Sequence, residues 1–260
     1  MNLMICMNGE PEQVPFLPEI AELGAGIELG SYGMVGVRSE RDWAERFALH
    51  QTVRAQFNGR LALHGPFIGM EFAHIDHLIR EVVNRRLDMM YEVAVKLKAE
   101  RVVLHSGFNL EIDKFKLQED WIERNIAFWQ AEIHRWAATG IEIVLENDTE
   151  HQPDLLIRLV NAVNHTALGL CLDIGHQNVF SKQAAPEWVS RMASRLYHVH
   201  LHDNDGIDDR HWSLGRGTIE FEPFYEALER QVPDVTISLE VVEPMDIKMR
   251  DLRRILTRFL

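Results

Sequence analysis

Eight short apolar, β-branched runs recur along this chain, and long helical patterns separate most of them. The runs are NLMICMN (2–8), GIELGS (26–31), LALHGPF (61–67), RVVLHSG (101–107), IEIVLEN (141–147), LGLCLDIG (168–175), LYHVHLHD (196–203) and TISLEVVE (236–243). Parallel neighbours need a crossover, usually a helix, so this alternation predicts βαβ units. Eight such units in 260 residues predict an α/β fold, a (β/α)8 TIM barrel forming a single domain over 1–260. The runner-up is an open doubly wound sheet, which calls for a glycine-rich phosphate loop after its first strand. Here the early glycine cluster GAGIELGSYG precedes a strand and has the wrong spacing, and no Walker A sequence occurs.

The helical segments carry their own signals. Over 75–97, Ile75, Leu78, Ile79, Val82, Val83, Leu87, Met90, Val93, Ala94 and Leu97 follow the i, i+3, i+4, i+7 rule. Ser39 with Asp42 fits a capping box ahead of a helix over 40–57, and the final MDIKMRDLRRILTRFL is again amphipathic. Such faces leave room for a homo-oligomer without marking one.

The strand runs are apolar until their last residues, where ligand-type side chains gather. His64 ends LALH, His105 ends RVVLH and Glu146 ends IEIVLE. Asp173 and His176 end LCLDIGH, His200 and His202 end HVHLH, and Glu240 ends TISLE. In a barrel all of these lie at the C-terminal mouth, where such enzymes build their sites. Alternation puts His198, His200 and His202 on one face, toward the barrel interior, and Tyr197, Val199 and Leu201 on the other, toward the helices. A lone histidine at a strand end is ordinarily a hydrogen-bonded structural residue, and an unpaired buried carboxylate is costly. The coincidence on six strands points instead to a metal site. Imidazoles plus carboxylates suit Zn²⁺, Mn²⁺, Co²⁺ or Fe²⁺, with Mg²⁺ also open.

The formal net charge of −13 argues against broad attachment to nucleic acid or an anionic membrane. Arg38, Arg41, Arg216 and the arginines of 80–86 are too scattered for a phosphate track. No apolar run reaches the ~18 residues of a membrane helix. The opening MNLMICMNGEPEQ lacks the basic start of a signal peptide. Cys6 and Cys171 sit inside strand runs and read as core thiols of a reducing, cytoplasmic compartment.

With LEN at 145–147, CLDIGH at 171–176 and the HVHLHDNDGIDDRHWSLGRGT stretch in this order, the chain resembles the xylose isomerase-like TIM-barrel superfamily. That group includes sugar and sugar-phosphate isomerases and epimerases and the endonuclease IV type of AP endonuclease. The isomerase branch implies one divalent metal held by Glu146, Asp173, His200 and Glu240, with His176 orienting substrate. The endonuclease IV branch implies three zinc ions, adding His64, His105, His176, Asp209 and His211. Departures count against nucleic acid as partner. The segment from His200 to Asp209 is short for that branch, and the loops MNGEPEQVP and GSYGMVGVRSE lack the basic and aromatic residues expected to enter DNA.

The expected activity is a metal-dependent isomerisation or epimerisation of a small sugar or sugar phosphate. Proton transfer by Glu146 and Glu240 would pass through a metal-stabilised enediolate. His64, His105, His176 and Arg216 are candidate substrate contacts, and Phe67 and Trp212 are candidate covers for a sugar face. Asp203 and Glu243 are candidates for retuning the glutamates. The turn Gly215-Arg216-Gly217-Thr218 is a candidate phosphate seat. The alternative is a zinc-dependent phosphoesterase, for which His64, His105, Asp209 and His211 become indispensable. A barrel that only binds would not need both glutamates.

Overall fold

The computed structural model describes residues 1–32 and 39–259; Arg38 lies outside them. All eight apolar runs are strands. They are β1 (Asn2–Met7), β2 (Gly26–Leu29), β3 (Leu61–His64), β4 (Arg101–His105), β5 (Glu142–Glu146), β6 (Leu168–Asp173), β7 (Leu196–Leu201) and β8 (Thr236–Leu239). Each pairs in parallel with the next, and β8 pairs with β1 to close a single (β/α)8 barrel.

The helices lie outside the ring. They are α1 (Leu17–Glu22), α2 (Glu40–Gln56), α3 (His77–Leu97), α4 (Leu110–Lys114) and α5 (Gln118–Ala138). There follow α6 (Asp154–Val163), α7 (Ile174–Phe180), α8 (Ala185–Met192), α9 (Phe221–Gln231) and α10 (Met245–Phe259). The capping box at α2 forms as its sequence implies: Ser39 Oγ accepts from Asp42 N at 3.2 Å, and Asp42 Oδ2 accepts from Ser39 N at 2.8 Å. Among the described residues no helix is long and apolar enough to cross a membrane.

Alternation along the strands divides the buried side chains into two sets. Outward residues such as Leu104, Leu145, Leu172 and Val199 pack against the helices, with Trp129, Trp136 and Trp188 among the largest fully buried side chains there. A small inner cluster of Val103, Val144 and Cys171 plugs the barrel below the polar mouth. Together with the buried side chains of Arg101, His198 and Glu28 beside it, this cluster makes the mouth a closed-bottomed cup and not a pore.

Two sequence expectations need correction. Tyr197 does not join Val199 and Leu201 on the helix side; it packs on the inner cluster. The register between β6 and β7 shifts at Leu170/Cys171, so an extra residue on β7 turns inward. Gly169 leaves the space, since a Cβ there would lie 2.2 Å from Tyr197 Cδ2. Second, the apolar stripe of 75–97 is only half used. Val83, Leu87, Met90, Val93, Ala94 and Leu97 are buried, whereas Ile75, Leu78 and Val82 are 74%, 58% and 60% exposed. A helix of 21 residues runs ~31 Å, while the five residues of β4 span ~17 Å. The first turns of α3 therefore overshoot the barrel wall.

Gly169→Ala is predicted to overpack the inner cluster and lower stability by ~1–3 kcal/mol. A shifted urea midpoint at unchanged slope would show it, and an unshifted midpoint would refute this account of the inward Tyr197.

Candidate metal centre and active site

Strands β5 to β8 deliver Glu146, Asp173, His200 and Glu240 to one point at the C-terminal mouth. One ligand atom from each lies within 4.8 Å of the others. His200 Nδ1 stands 2.8 Å from Glu146 Oε1, 3.1 Å from Glu240 Oε2 and 3.8 Å from Asp173 Oδ2. Two further groups flank this point. On one side His64 Nε2 and His105 Nε2 lie 3.3 and 3.5 Å from Glu146 Oε2. On the other, His176 Nε2 and His211 Nε2 lie 3.3 and 2.7 Å from Asp209 Oδ2. All nine ligand candidates read from the sequence thus meet in one patch.

A second layer of hydrogen bonds holds them in place. Asn147 donates Nδ2 to Asp173 O at 3.0 Å and accepts Asp173 N on Oδ1 at 2.8 Å, fixing β5 and β6 tip to tip. Asp173 caps α7, accepting His176 N at 2.6 Å, and meets His202 Nε2 at 3.1 Å. His202 is therefore a buried support lying under α7, not an open residue at the mouth. Gly175 allows that approach, because a Cβ there would lie 1.9 Å from His202 Cε1.

The four flanking imidazoles share a common orientation. Nδ1 of His64 faces Gly65 O at 3.0 Å, that of His176 faces Asn147 O at 2.8 Å, and that of His211 faces Glu240 O at 2.8 Å. Carbonyls only accept, so each Nδ1 carries its hydrogen. His105 Nδ1 likewise faces Asp148 Oδ2 at 3.2 Å. Glu150, buried beneath, takes Ser106 Oγ at 2.5 Å and Asp148 N at 2.6 Å and steadies that loop. In every case Nε2 is left for the carboxylate in the site. This is the arrangement of outer partners that fixes a metal-ligating histidine.

An imidazole lone pair aimed at a carboxylate requires a proton or a cation between them. With a proton, the site becomes a set of mutually shifted groups. Burial disfavours charge on His64, but Glu146 and Glu240 outweigh it and raise its pKa to about 9. Burial is likewise outweighed at His211 by Asp209 and Glu240, again to about 9. Glu240 falls to about 2 against its burial, through His200, His211 and His64. Glu146 lies well below the usual carboxylate range against its burial, chiefly through His200 and His105. Yet Glu146 Oε2 is buried and makes no hydrogen bond among the described residues. An orphan oxygen between two imidazole nitrogens fits a divalent cation, as does a donor set of nitrogen and oxygen without thiolate.

The patch forms one wall of a cavity of about 450 Å³, which His64, Phe67, His105, Glu146, His176 and Glu240 help to line. Phe67 stacks on His105 with ring centroids 4.9 Å apart. Other sequence candidates lie elsewhere. Arg216 does not line the cavity: it pairs with Glu243 at 2.7 Å and lies over the Trp212 ring at 4.9 Å, occupying both partners. Nor is the Gly215–Thr218 turn open to phosphate. Asp203 Oδ2 accepts Gly215 N at 2.9 Å and Gly217 N at 2.8 Å, and Asn204 O accepts Thr218 N at 2.8 Å. Asp203 and Glu243 are thus bound to the loop and to Arg216, not to the glutamates of the site.

Glu28 and Lys248 are among the site residues that escaped the sequence reading. Glu28, in the middle of β2 and buried, holds His198 Nε2 and His200 Nε2 at 3.0 Å each. The signal was present: a carboxylate between Ile27 and Leu29 in a central strand. Lys248 comes from α10, donates Nζ to Cys6 O at 2.9 Å and lines the cavity. An amphipathic helix hides such a residue among its surface charges.

A family model described as xylose isomerase-like TIM barrel matches residues 19–257. Among curated proteins, MJ1311 of Methanocaldococcus jannaschii is 28% identical over 197 residues, 72% of this chain and 66% of its own length. A probable endonuclease 4 of Mycobacterium leprae is 25% identical over 184 residues, 64% of this chain and 68% of its own. Among solved structures, the protein TTHB071 of Thermus thermophilus, soaked with ZnCl2, is 28% identical with a TM-score of 0.76, covering 100% of this chain and 98% of its own. A D-tagatose 3-epimerase-like protein superposes with a TM-score of 0.76 at 24% identity, over 100% of this chain and 97% of its own.

Zinc uptake is predicted to depend on pH with a definite sign. In the metal-free chain His64 and His211, raised to about 9, are protonated at neutral pH, and their positive charge beside Glu146 and Glu240 opposes a cation at that point. Zinc affinity should climb from about pH 6 to 9, with proton release, and level off above. Chelator competition across that range tests this; a flat profile would contradict it. The same raised pKa values stabilise the metal-free fold fully below about pH 6.5, and that stability fades as pH rises through about 9. Gly175→Ala should displace His202 from Asp173 and weaken zinc binding by about tenfold, read by the same titration; unchanged affinity would show that His202 plays no part in holding Asp173.

Proposed function

The chain belongs to the xylose isomerase-like TIM-barrel family, and we propose that it is a divalent-metal-dependent isomerase or epimerase of a small sugar or sugar phosphate. The observation carrying this reading is the meeting of Glu146, Asp173, His200 and Glu240 at one point beside a cavity of about 450 Å³. That volume lies in the range of small-molecule sites. A divalent cation held by those four residues would act as a Lewis acid on two neighbouring substrate oxygens, acidifying the carbon-bound proton. Glu146 and Glu240 then act as the proton carriers, one accepting a proton and the other returning it. Both line the cavity. Glu146 is buried, whereas the Glu240 side chain is 19% exposed and is the better placed to exchange its proton with solvent.

The remaining residues would bind and orient. His176, anchored through Nδ1 on Asn147, and His64 and His105 face the cavity and would meet substrate hydroxyls. Phe67 offers a flat apolar face to a sugar ring. The free thiols Cys6 and Cys171 suit a reducing, cytoplasmic setting.

A second reading, a zinc-dependent phosphoesterase, is favoured by one specific observation. His64 and Glu146 with His200, and separately His176, Asp209 and His211, form two further groups at ligand spacing. A single-metal isomerase has no need of these as ligands, whereas phosphoryl transfer benefits from several cations.

Metal content by elemental mass spectrometry on untagged protein separates the two readings. About one metal per chain is expected of the isomerase, and about three would shift the assignment to cleavage of an abasic-site duplex. For the isomerase, incubation with ketoses in D2O should introduce deuterium at carbon. Glu146→Gln and Glu240→Gln should each lower turnover by about 10²–10⁴. Full activity in either variant would remove that residue from proton transfer.

A further inference from the structure

A hydrogen-bonded chain runs up the inside of the barrel from its N-terminal end to the metal point. It begins at Glu142 on β5, whose Oε2 takes Arg101 Nε at 3.1 Å and Nη2 at 2.5 Å. Arg101 Nη1 reaches Tyr197 O at 2.8 Å and His198 Nδ1 at 3.2 Å. His198 Nε2 meets Glu28 Oε2 at 3.0 Å, and Glu28 Oε1 meets His200 Nε2 at 3.0 Å. Glu28, His198 and His200 have no exposed surface, and Arg101 is 8% exposed.

Each link has a forced polarity. A guanidinium donates and never accepts, so His198 Nδ1 must be the acceptor and His198 carries its hydrogen on Nε2. An ionised carboxylate accepts and never donates, so Glu28 receives that hydrogen on one oxygen. Its other oxygen must then receive a hydrogen from His200 Nε2. With its Nε2 hydrogen held by Glu28, His200 can offer Nδ1, the atom that faces Glu146, Asp173 and Glu240, to a cation that takes the place of the proton shared there. Bulk water cannot reverse the links, because these groups are closed off from it.

We infer that Arg101 and Glu28 are positioning residues that lock the tautomers of His198 and His200, so that His200 meets the metal through Nδ1. The lock rests on the metal reading given above. It explains why two full charges are kept below the mouth of the barrel. A neutral hydrogen-bonding pair there could reverse, and a reversed His200 would present N–H where a cation has to sit.

The test uses the full-length protein and ZnCl2 alone as probe. Glu28→Gln has the same shape but one oxygen only. With Arg101 in place, the glutamine oxygen must accept from His198, and its amide must donate to His200 Nε2. His200 is then forced to carry hydrogen on Nδ1. One zinc equivalent should weaken by about 10–100-fold. Adding Arg101→Met frees His198 to reverse and the glutamine to turn over, so the double variant should regain part of that loss. In zinc-loaded wild type, imidazole ¹⁵N spectra should show His200 with hydrogen on Nε2 and metal on Nδ1.

Glu28→Gln with wild-type zinc affinity, or His200 ligating through Nε2, would overturn the lock and leave the metal reading standing. No zinc uptake by the wild type would overturn both. Should the double variant fail to fold, the single variant and the spectra decide.

Discussion

Glu146 lies at the centre of the barrel mouth with no exposed side-chain surface. One oxygen faces His200, and the other faces His64 and His105. A carboxylate so placed is costly unless positive charge surrounds it. Nearby carboxylates of Asp173 and Glu240 raise that cost, since like charges at this spacing repel. The tips of β5, β6, β7 and β8 can therefore stay together only with protons or a cation shared among them. The position of each neighbouring histidine follows from that requirement.

The barrel meets the constraint with rigidity. Asn147 ties two strand tips through both of its side-chain atoms. Asp203 gathers the backbone N–H groups of residues 204, 215, 217 and 219 and so closes the long excursion that carries Asp209 and His211. Gly217 is needed in that closure, since a Cβ there would lie 2.0 Å from Asn204 O. The fold thus uses one carboxylate as an internal anion for a turn that looked, by composition, like a phosphate seat. The physics is the same in both cases: clustered N–H donors want negative charge.

Much of this was legible because strands and helices have fixed periods. Eight apolar runs spaced by helical patterns allow few architectures, and parallel pairing makes the strand ends share one face. His64, His105, Glu146, Asp173, His200 and Glu240 could therefore be placed together from their positions at strand ends, whereas Asp209 and His211 entered through the family resemblance. Period alone failed at three places, each for a local reason. A register shift turned Tyr197 inward. A helix longer than the wall it packs on left Ile75, Leu78 and Val82 exposed. Arg216, next to two glycines, found Glu243 and Trp212 before it could reach the cavity.

The sequence by itself determined the barrel and the ring of imidazoles and carboxylates at its mouth, because chain order and side-chain alternation are properties of the covalent chain. Only the tertiary structure decided which of those groups face one another and by which atom. His198 and His200 are two residues apart on one strand, yet their tautomers are set by Arg101 on β4 and Glu28 on β2. Hydrogen-bond polarity passes between strands through space, and no spacing along the sequence encodes it.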